Sequence, residues 1–334
     1  MLKLDTMFNG KTILITGGTG SFGHKFVEFL LSNFKMKKII VYSRDEFKQF
    51  EMAKIFDHKS MRYFIGDVRD KNRLKLALRG VDYVVHAAAL KQVISSEYNP
   101  TECIKTNIYG AENLIYACLE SNVKYLIALS TDKAVNPINL YGATKLASDK
   151  LFIAANNYSA GKCIFSVSRY GNVIGSRGSV VEIYRELIKS KINQLPITDL
   201  RMTRFWMTLS QGVEFVIKSF YRMKGGEIFV PKIPSIFIKD LIKSFNSNCK
   251  PKIIGIRPGE KVEETLCAKE DSSYTYDFGD HYEILSSISY NKIKKPINRL
   301  KEIGKKVSSD FEYTSSNNKD FLSIDKIRKL NSVK

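Results

Sequence analysis

From residue 11 to about residue 170, short apolar runs rich in β-branched residues alternate with stretches whose apolar positions recur at helical spacing. "KTILITG", "KKIIVYS", "MRYFIGD", "VDYVVHAAA", "KYLIALS" and "CIFSVSRYGNV" read as strands. Between them "HKFVEFLLSNF", "DEFKQFEMAKIFD", "KNRLKLALRG", "NIYGAENLIYACLESN" and "YGATKLASDKLFIAANNYS" read as helices. Strict alternation with nearly continuous apolar strands predicts a parallel sheet covered by helices on both faces, a Rossmann-like, doubly wound α/β fold. Beyond about residue 175 the rhythm breaks into single elements, "VVEIYRELIKSK", "LSQGVEFVIKSFYRMKGG", "EIFVPK" and "IKDLIKSF", and the C-terminal stretch is lysine-rich and weakly patterned. The expected division is a principal domain over 1–175, to which elements from about 205–230 return, and a smaller C-terminal cap over 176–334. Such a cap belongs over the carboxyl ends of the strands, where open α/β sheets bind ligands.

Composition agrees with a globular chain: 334 residues, 44% hydrophobic and 26% charged. No apolar run approaches the roughly 18 residues that a membrane span needs. The N-terminus lacks the apolar region and cleavage site of a signal peptide, so a cytoplasmic location is expected. Cys103, Cys118, Cys163, Cys249 and Cys267 are scattered and odd in number. They read as buried small hydrophobes, and the four histidines form no ligand pattern, so no metal is expected. The net charge of +19 is spread along the chain. It fits either a lysine-rich surface or an electropositive cleft for anionic small molecules. No recognition-module signature points to nucleic acid.

Chemistry first becomes specific at "TGGTGSFG" (16–23), directly after the first strand. Gly17, Gly20 and Gly23 let backbone approach a pyrophosphate at a helix N-terminus, with Thr19, Ser21 and Phe22 in the same loop. The second strand ends in Ser43 and Arg44, where an NAD enzyme carries an acid, and Lys48 follows one turn later. An arginine there suits a 2′-phosphate and favours NADP, although Asp45 and Glu46 come next. Asp67 and Val68 fall beside the adenine. Ala87 and Ala88, in "HAAA", pass close to the pyrophosphate and ribose.

"STDKAVNPINLYGATK" (130–145) is the second specific stretch. Tyr141 and Lys145 sit four apart at a helix start and project from one face. A neighbouring ammonium stabilises phenolate, so Tyr141 is expected to have a lowered pKa and to take a proton from a sugar hydroxyl, with Thr131 bonding the same hydroxyl. Asp132 and Lys133 precede them. By sequence logic alone that pair is equally a solvated turn.

Together Gly-x-x-Gly-x-x-Gly, Thr131, Tyr141 and Lys145 resemble an extended short-chain dehydrogenase/reductase. "STDKAVNPINLYGATK", "RYGNVIGSRGSV", "ITDLRMTRFWMTL", "GGEIFVPKIPS" and "GIRPGEK" more specifically resemble the inverting UDP-N-acetylglucosamine 4,6-dehydratases, from about residue 10 to about 318. That resemblance implies a tightly bound NADP, regenerated in each cycle, in the 1–175 domain and a UDP-sugar in the cap. The implied reaction is oxidation at C4, loss of water across C5 and C6, and hydride return to C6, opening pseudaminic acid synthesis for flagellin glycosylation. Lys133 then becomes the C5 base beside Asp132, with a pKa expected to be lowered by burial and Lys145. Lys91, Ser130, Thr131, Asn172, Val173 and Val181 become substrate neighbours, and "RGSVV" closes over the nucleotide. Arg204, Arg257 and Glu260 become diphosphate and ribose contacts. Trp206 reads as cap packing. One departure is Ile94, where a proline is expected, near Lys91. A homo-oligomer, with a hexamer as one form, is also implied. The competing readings are a UDP-sugar C4 or C5 epimerase or reductase of the same family, and a non-catalytic NADP-binding sensor or scaffold.

Overall fold

The strand β1 (Thr12–Thr16) is buried at all five positions, which is why its sequence shows no polar alternation. It lies in the computed structural model at the middle of a parallel set with β2 (Lys38–Ser43), β3 (Met61–Ile65), β4 (Tyr83–His86), β5 (Tyr125–Thr131) and β6 (Ile164–Tyr170), in the order 3-2-1-4-5-6. Residues 6–175, 178–245, 248–288 and 296–332 are described. Helices α1 (Ser21–Asn33), α2 (Glu46–Ile55), α3 (Lys71–Ala77), α4 (Val93–Tyr98), α5 (Pro100–Ile104), α6 (Gly110–Glu120) and α7 (Leu140–Ala155) cross between the strands. The order reverses between β1 and β4, so the loops after these strands open a crevice at their carboxyl ends. The doubly wound α/β fold expected from the sequence is present.

Two details differ from the sequence pattern. The helix expected from "NIYG" starts earlier, at Pro100, and passes through a π-helical turn at Lys105–Tyr109 before α6. Asn107 in that turn donates Nδ2 to the Leu90 carbonyl (2.9 Å) and to Thr144 Oγ1 (3.0 Å), and accepts from Leu90 N (2.8 Å). The wide turn therefore ties the segment after β4 to α7, in keeping with the functional placement of such bulges.

The second detail is how much chain the large sheet takes back. The later strands are β7 (Asn172–Val173), β8 (Gln194–Ile197), β9 (Thr203–Met207), β10 (Ile228–Pro231), β11 (Ser235–Phe237), β12 (Lys250–Ile253), β13 (Thr265–Cys267), β14 (Thr275–Asp277), β15 (His281–Ile284), β16 (Lys305–Lys306) and β17 (Tyr313–Thr314). β10 pairs parallel to β6, and β15, β14 and β16 follow it antiparallel, making ten strands. Residues 275–306 thus supply strands to the same sheet as the expected returning stretch at 205–230. Strands of two to four residues carry too little periodicity to be seen in sequence.

The remaining strands form small sheets, β11-β9-β7, β12-β8 and β13-β17. Around them a second core gathers Val181, Tyr184, Leu195, Trp206, Leu241 and Ile327, all at most 2% exposed. Trp206 therefore packs the cap. All five cysteines are buried and free. Among the described residues no His, Cys, Asp and Glu group could hold a metal, and no helix is long and apolar enough to cross a membrane.

Candidate active site

The carboxyl ends of β1, β2, β4, β5 and β6 converge on one cleft of about 640 Å³. Of the residues singled out from sequence, Gly17, Thr19, Gly20, Ser21, Phe22, Ser43, Arg44, Lys48, Asp67, Val68, Ala87 and Ala88 line one part of it. Lys91, Ser130, Thr131, Asp132, Lys133, Tyr141, Lys145, Asn172 and Val173 line the rest. Two stretches more than a hundred residues apart in sequence thus share a wall.

The glycine loop is built for close approach. Gly17 has φ +64° and a Cβ there would meet the Ala88 backbone at 2.8 Å. Gly23 faces inward instead: a Cβ would come within 2.0 Å of the Gly18 carbonyl, so this glycine packs α1 on the β1 loop and does not line the cleft. At the end of β2, Asp45 is spent on its own helix. It caps α2 by accepting from Lys48 N (2.9 Å) and pairs with Lys48 Nζ at 2.6 Å. Arg44 stays half-exposed, with only a long 3.5 Å contact to Asp67. Asp67 is held by Arg69 through Nε (2.9 Å) and its backbone N (2.9 Å). Burial works against the Asp67 carboxylate, but Arg69 outweighs it and lowers its pKa. The groove left open by the glycines, with Arg44 at its rim, fits a dinucleotide carrying a 2′-phosphate.

β5 ends in a single 3-10 turn, Asp132–Ala134, for which Thr131 is the cap, accepting from Lys133 N at 3.3 Å. Asn139 then caps α7, accepting from Gly142 N at 2.8 Å, which starts the helix one residue before Tyr141. Tyr141, Lys145 and Asp132 are all buried. Burial pushes the Tyr141 phenol up to about 12, against the pull of Lys133 and a hydrogen bond with Thr131. The sequence expectation of a lowered value is corrected: desolvation dominates in the protein alone. Reaching phenolate at neutral pH therefore needs about 7 kcal/mol of further stabilisation. Burial also lowers Lys145, partly offset by Asp149. Under it, fully buried His86 bonds Thr16 Oγ1 (2.8 Å) and falls to about 3, through burial and then Lys145, so it is neutral.

Lys133 departs from expectation more sharply. Its Nζ lies 3.1 Å from Asp132 Oδ1 and 3.0 Å from Glu264 Oε1. Burial would lower its pKa, but the two carboxylates outweigh burial and raise it, so the free protein carries an ammonium here. Burial raises the Asp132 carboxyl in turn, against Lys133. Glu264, just before β13, gave no sequence signal because it meets Lys133 only through the fold.

Several expected substrate residues sit elsewhere. Arg204 is buried and donates to the carbonyls of Thr203 (2.7 Å), Lys261 (2.9 Å) and Val262 (3.1 Å), with Glu264 at 3.6 Å. It does not line the cleft, and its guanidinium is committed to the protein. Val181 is fully buried in the cap core. Glu260 accepts from Thr198 Oγ1 (2.9 Å), and its own N bonds the Arg257 carbonyl (3.1 Å). That Arg257–Glu260 turn does not line the cleft but docks beside it: Asn139 Nδ2 donates to Gly259 O (2.8 Å) and Lys261 Nζ to Val135 O (2.7 Å). Asn172 lines the cleft and its Oδ1 is buried without a hydrogen-bond partner among the described residues, the mark of a position left for a ligand. Ile94 is exposed in the first turn of α4 and leaves Lys91 on the cleft wall. Within "RGSVV", Arg177 lies outside the described residues.

The profile of the polysaccharide biosynthesis protein family matches residues 13–286. The chain belongs to that family. A Campylobacter jejuni protein named UDP-N-acetylglucosamine 4,6-dehydratase (inverting) is 59% identical over 95% of this chain and 96% of its own. A Rickettsia akari protein named UDP-glucose 4-epimerase is 43% identical over 97% of this chain and 96% of its own. Among solved structures, Pen from Bacillus thuringiensis superposes with a TM-score of 0.88 at 35% identity, covering 97% of this chain and 98% of that one. Family membership agrees with the short-chain dehydrogenase/reductase motifs, and the relatives place both dehydratases and epimerases on this scaffold.

Proposed function

We propose that this chain is an NADP-dependent UDP-N-acetylglucosamine 4,6-dehydratase that inverts C5. The observation carrying the proposal is Lys133, held beside Asp132 in the same cleft as Thr131, Tyr141 and Lys145. An oxidoreductase site alone needs no such pair, whereas elimination across C5 and C6 needs a base and an acid. The match to the Campylobacter jejuni dehydratase supports the same reading.

The glycine loop, Arg44 and Lys48 would hold the dinucleotide, with Asp67, Val68, Ala87 and Ala88 along its length. When bound, it would supply a hydride acceptor for C4, a hydride donor for C6 and positive charge beside the Tyr141 phenolate. Tyr141 Oη then takes the C4 hydroxyl proton while Thr131 orients that hydroxyl. The new carbonyl acidifies C5. Lys133 and Asp132 share a contact through which one proton passes from ammonium to carboxylate, leaving an amine and a carboxylic acid. The amine takes the C5 proton, and the acid gives its proton to the C6 hydroxyl, which leaves as water. Hydride addition at C6 would then leave an enolate that takes a solvent-exchangeable proton at C5 on the opposite face. Asn172 and Lys91 hold the nucleotide end. Burial lowers the Lys91 pKa, against Glu182, and an incoming diphosphate would raise it again.

The same proposal places the dinucleotide in the principal domain and the UDP-sugar between Lys91, Asn172 and the 176–334 cap, in a homo-oligomer. The test is mass spectrometry of the product from UDP-N-acetylglucosamine: dehydration removes one water. The Rickettsia akari relative favours epimerisation as the second reading. An epimerase returns an isomer of unchanged mass.

A further inference from the structure

We infer that Glu264 is a positioning residue of this site, reaching across from the segment before β13 to fix where Lys133 Nζ sits between two carboxylates. The inference deepens the dehydratase reading and rests on it.

Glu264 is 2% exposed and its Oε1 lies 3.0 Å from Lys133 Nζ, although 131 positions separate them in sequence. Its backbone is clamped at both ends by one residue: Glu264 N donates to Ser315 Oγ (2.9 Å) and Ser315 N to Glu264 O (2.8 Å). Ser315 Oγ in turn bonds Thr203 Oγ1 of β9 (2.7 Å). The carboxylate is thus held by elements that converge from three parts of the chain.

A purely structural role explains this placement poorly. Oε2 of Glu264 is buried with no hydrogen-bond partner among the described residues, which costs free energy in a group that serves only the fold. Arg204 also lies near, its Nε 3.6 Å from Glu264 Oε1, but its guanidinium hydrogen-bonds three carbonyls and has Glu260 at 3.8 Å as a second carboxylate. What only Glu264 supplies is a second anchor for Lys133. With Asp132 alone, a lysine adjacent in sequence could swing about its stem. With Glu264 opposite, Nζ is fixed, and so is the direction from which it meets the sugar.

The charges facing Lys133 are Asp132 on its own turn, Glu264 and Lys261 from the segment before β13, Arg204 from β9, and Tyr141 from α7. Removing Glu264 takes away one of two anions and leaves the cations. The Lys133 ammonium then gives up its proton more readily, yet the amine is less well placed.

Glu264→Gln and Glu264→Asp test this with two readouts. Competitive labelling of Lys133 by an amine-reactive reagent in the free protein reads its proton affinity. At a fixed alkaline pH, Glu264→Gln is expected to label about tenfold faster or more, with Glu264→Asp between it and the wild type. With UDP-N-acetylglucosamine, Glu264→Gln is expected to lose about 100-fold in kcat with little change in KM, while Glu264→Asp recovers part of the loss. Unaltered labelling, or an unaltered kcat per folded molecule, overturns the inference. Should the wild type yield no dehydrated product, the functional reading fails, and the labelling of the two variants still decides whether Glu264 holds Lys133. If Glu264→Gln does not fold, Glu264→Asp carries both readouts alone.

Discussion

The Cα of Gly142 lies against the backbone carbonyl of Lys133: a Cβ added there would sit 2.1 Å from that oxygen and 3.0 Å from Pro137 Cβ. The 3-10 turn bearing Asp132 and Lys133 and the first turn of α7 bearing Tyr141 are therefore in backbone contact. The missing side chain of Gly142 is what allows Lys133 and Tyr141 to share one cleft. Gly142→Ala must push the two turns apart. Overpacking against backbone costs about 1–3 kcal/mol, which urea denaturation will read as a lower midpoint with an unchanged slope. Turnover should fall further than stability does if the displaced groups, Lys133 and Tyr141, act as proposed.

Gly17 makes the corresponding contact for the cofactor. With φ at +64° and Ala88 backbone at 2.8 Å, Gly17→Ala meets both a strained conformation and a collision. The left-handed conformation alone costs about 1–2 kcal/mol, so NADP affinity should drop about tenfold or more. Titration calorimetry checks it.

Arg44 is the less committed cation at the rim, with a 3.5 Å contact to Asp67, whereas Lys48 is paired to Asp45 at 2.6 Å. A charge-assisted hydrogen bond contributes about 1.5–3 kcal/mol. Arg44→Ala should therefore weaken NADP by about ten- to a hundredfold while leaving NAD affinity nearly unchanged, read by binding of each nucleotide in parallel.

His281 links acidity to stability away from the site. It is fully buried, with Nδ1 2.6 Å from Asp280 and Nε2 3.0 Å from Glu283. Burial alone would lower its pKa, but hydrogen bonds to Asp280 and Glu283 outweigh burial and raise it above 6.5. Its contribution is full below pH 6.5 and is lost as pH rises through the raised folded value. Melting temperatures of wild type and His281→Gln, measured across that window, should converge as the solution becomes alkaline.

Much of this was legible in the chain. The glycine loop, the alternation of strands and helices, and Tyr141 with Lys145 are local patterns, and local patterns survive in sequence. The signs of two pKa shifts were not. The expectation for Lys133 is a lowered value, and it is raised because Asp132 and then Glu264 outweigh burial, and the second carboxylate comes from 131 positions away. Tyr141 was expected to be lowered and is raised, because burial exceeds what nearby cations return. Arg204 looked available for phosphate, yet its environment of three carbonyls depends on the fold of the 261–262 segment. The strands at 275–284 were missed because short antiparallel additions leave no periodic trace.

The central measurement is the configuration and isotope content at C5 when the holoenzyme turns over UDP-N-acetylglucosamine in D₂O. Abstraction by Lys133 and reprotonation on the opposite face predict a 4-keto-6-deoxy product carrying deuterium at C5, with proton couplings of the L-arabino configuration. Lys133→Ala should retain NADP and lose this product. A C4 epimer without deuterium, a product with C5 retained, or full turnover by Lys133→Ala would contradict it.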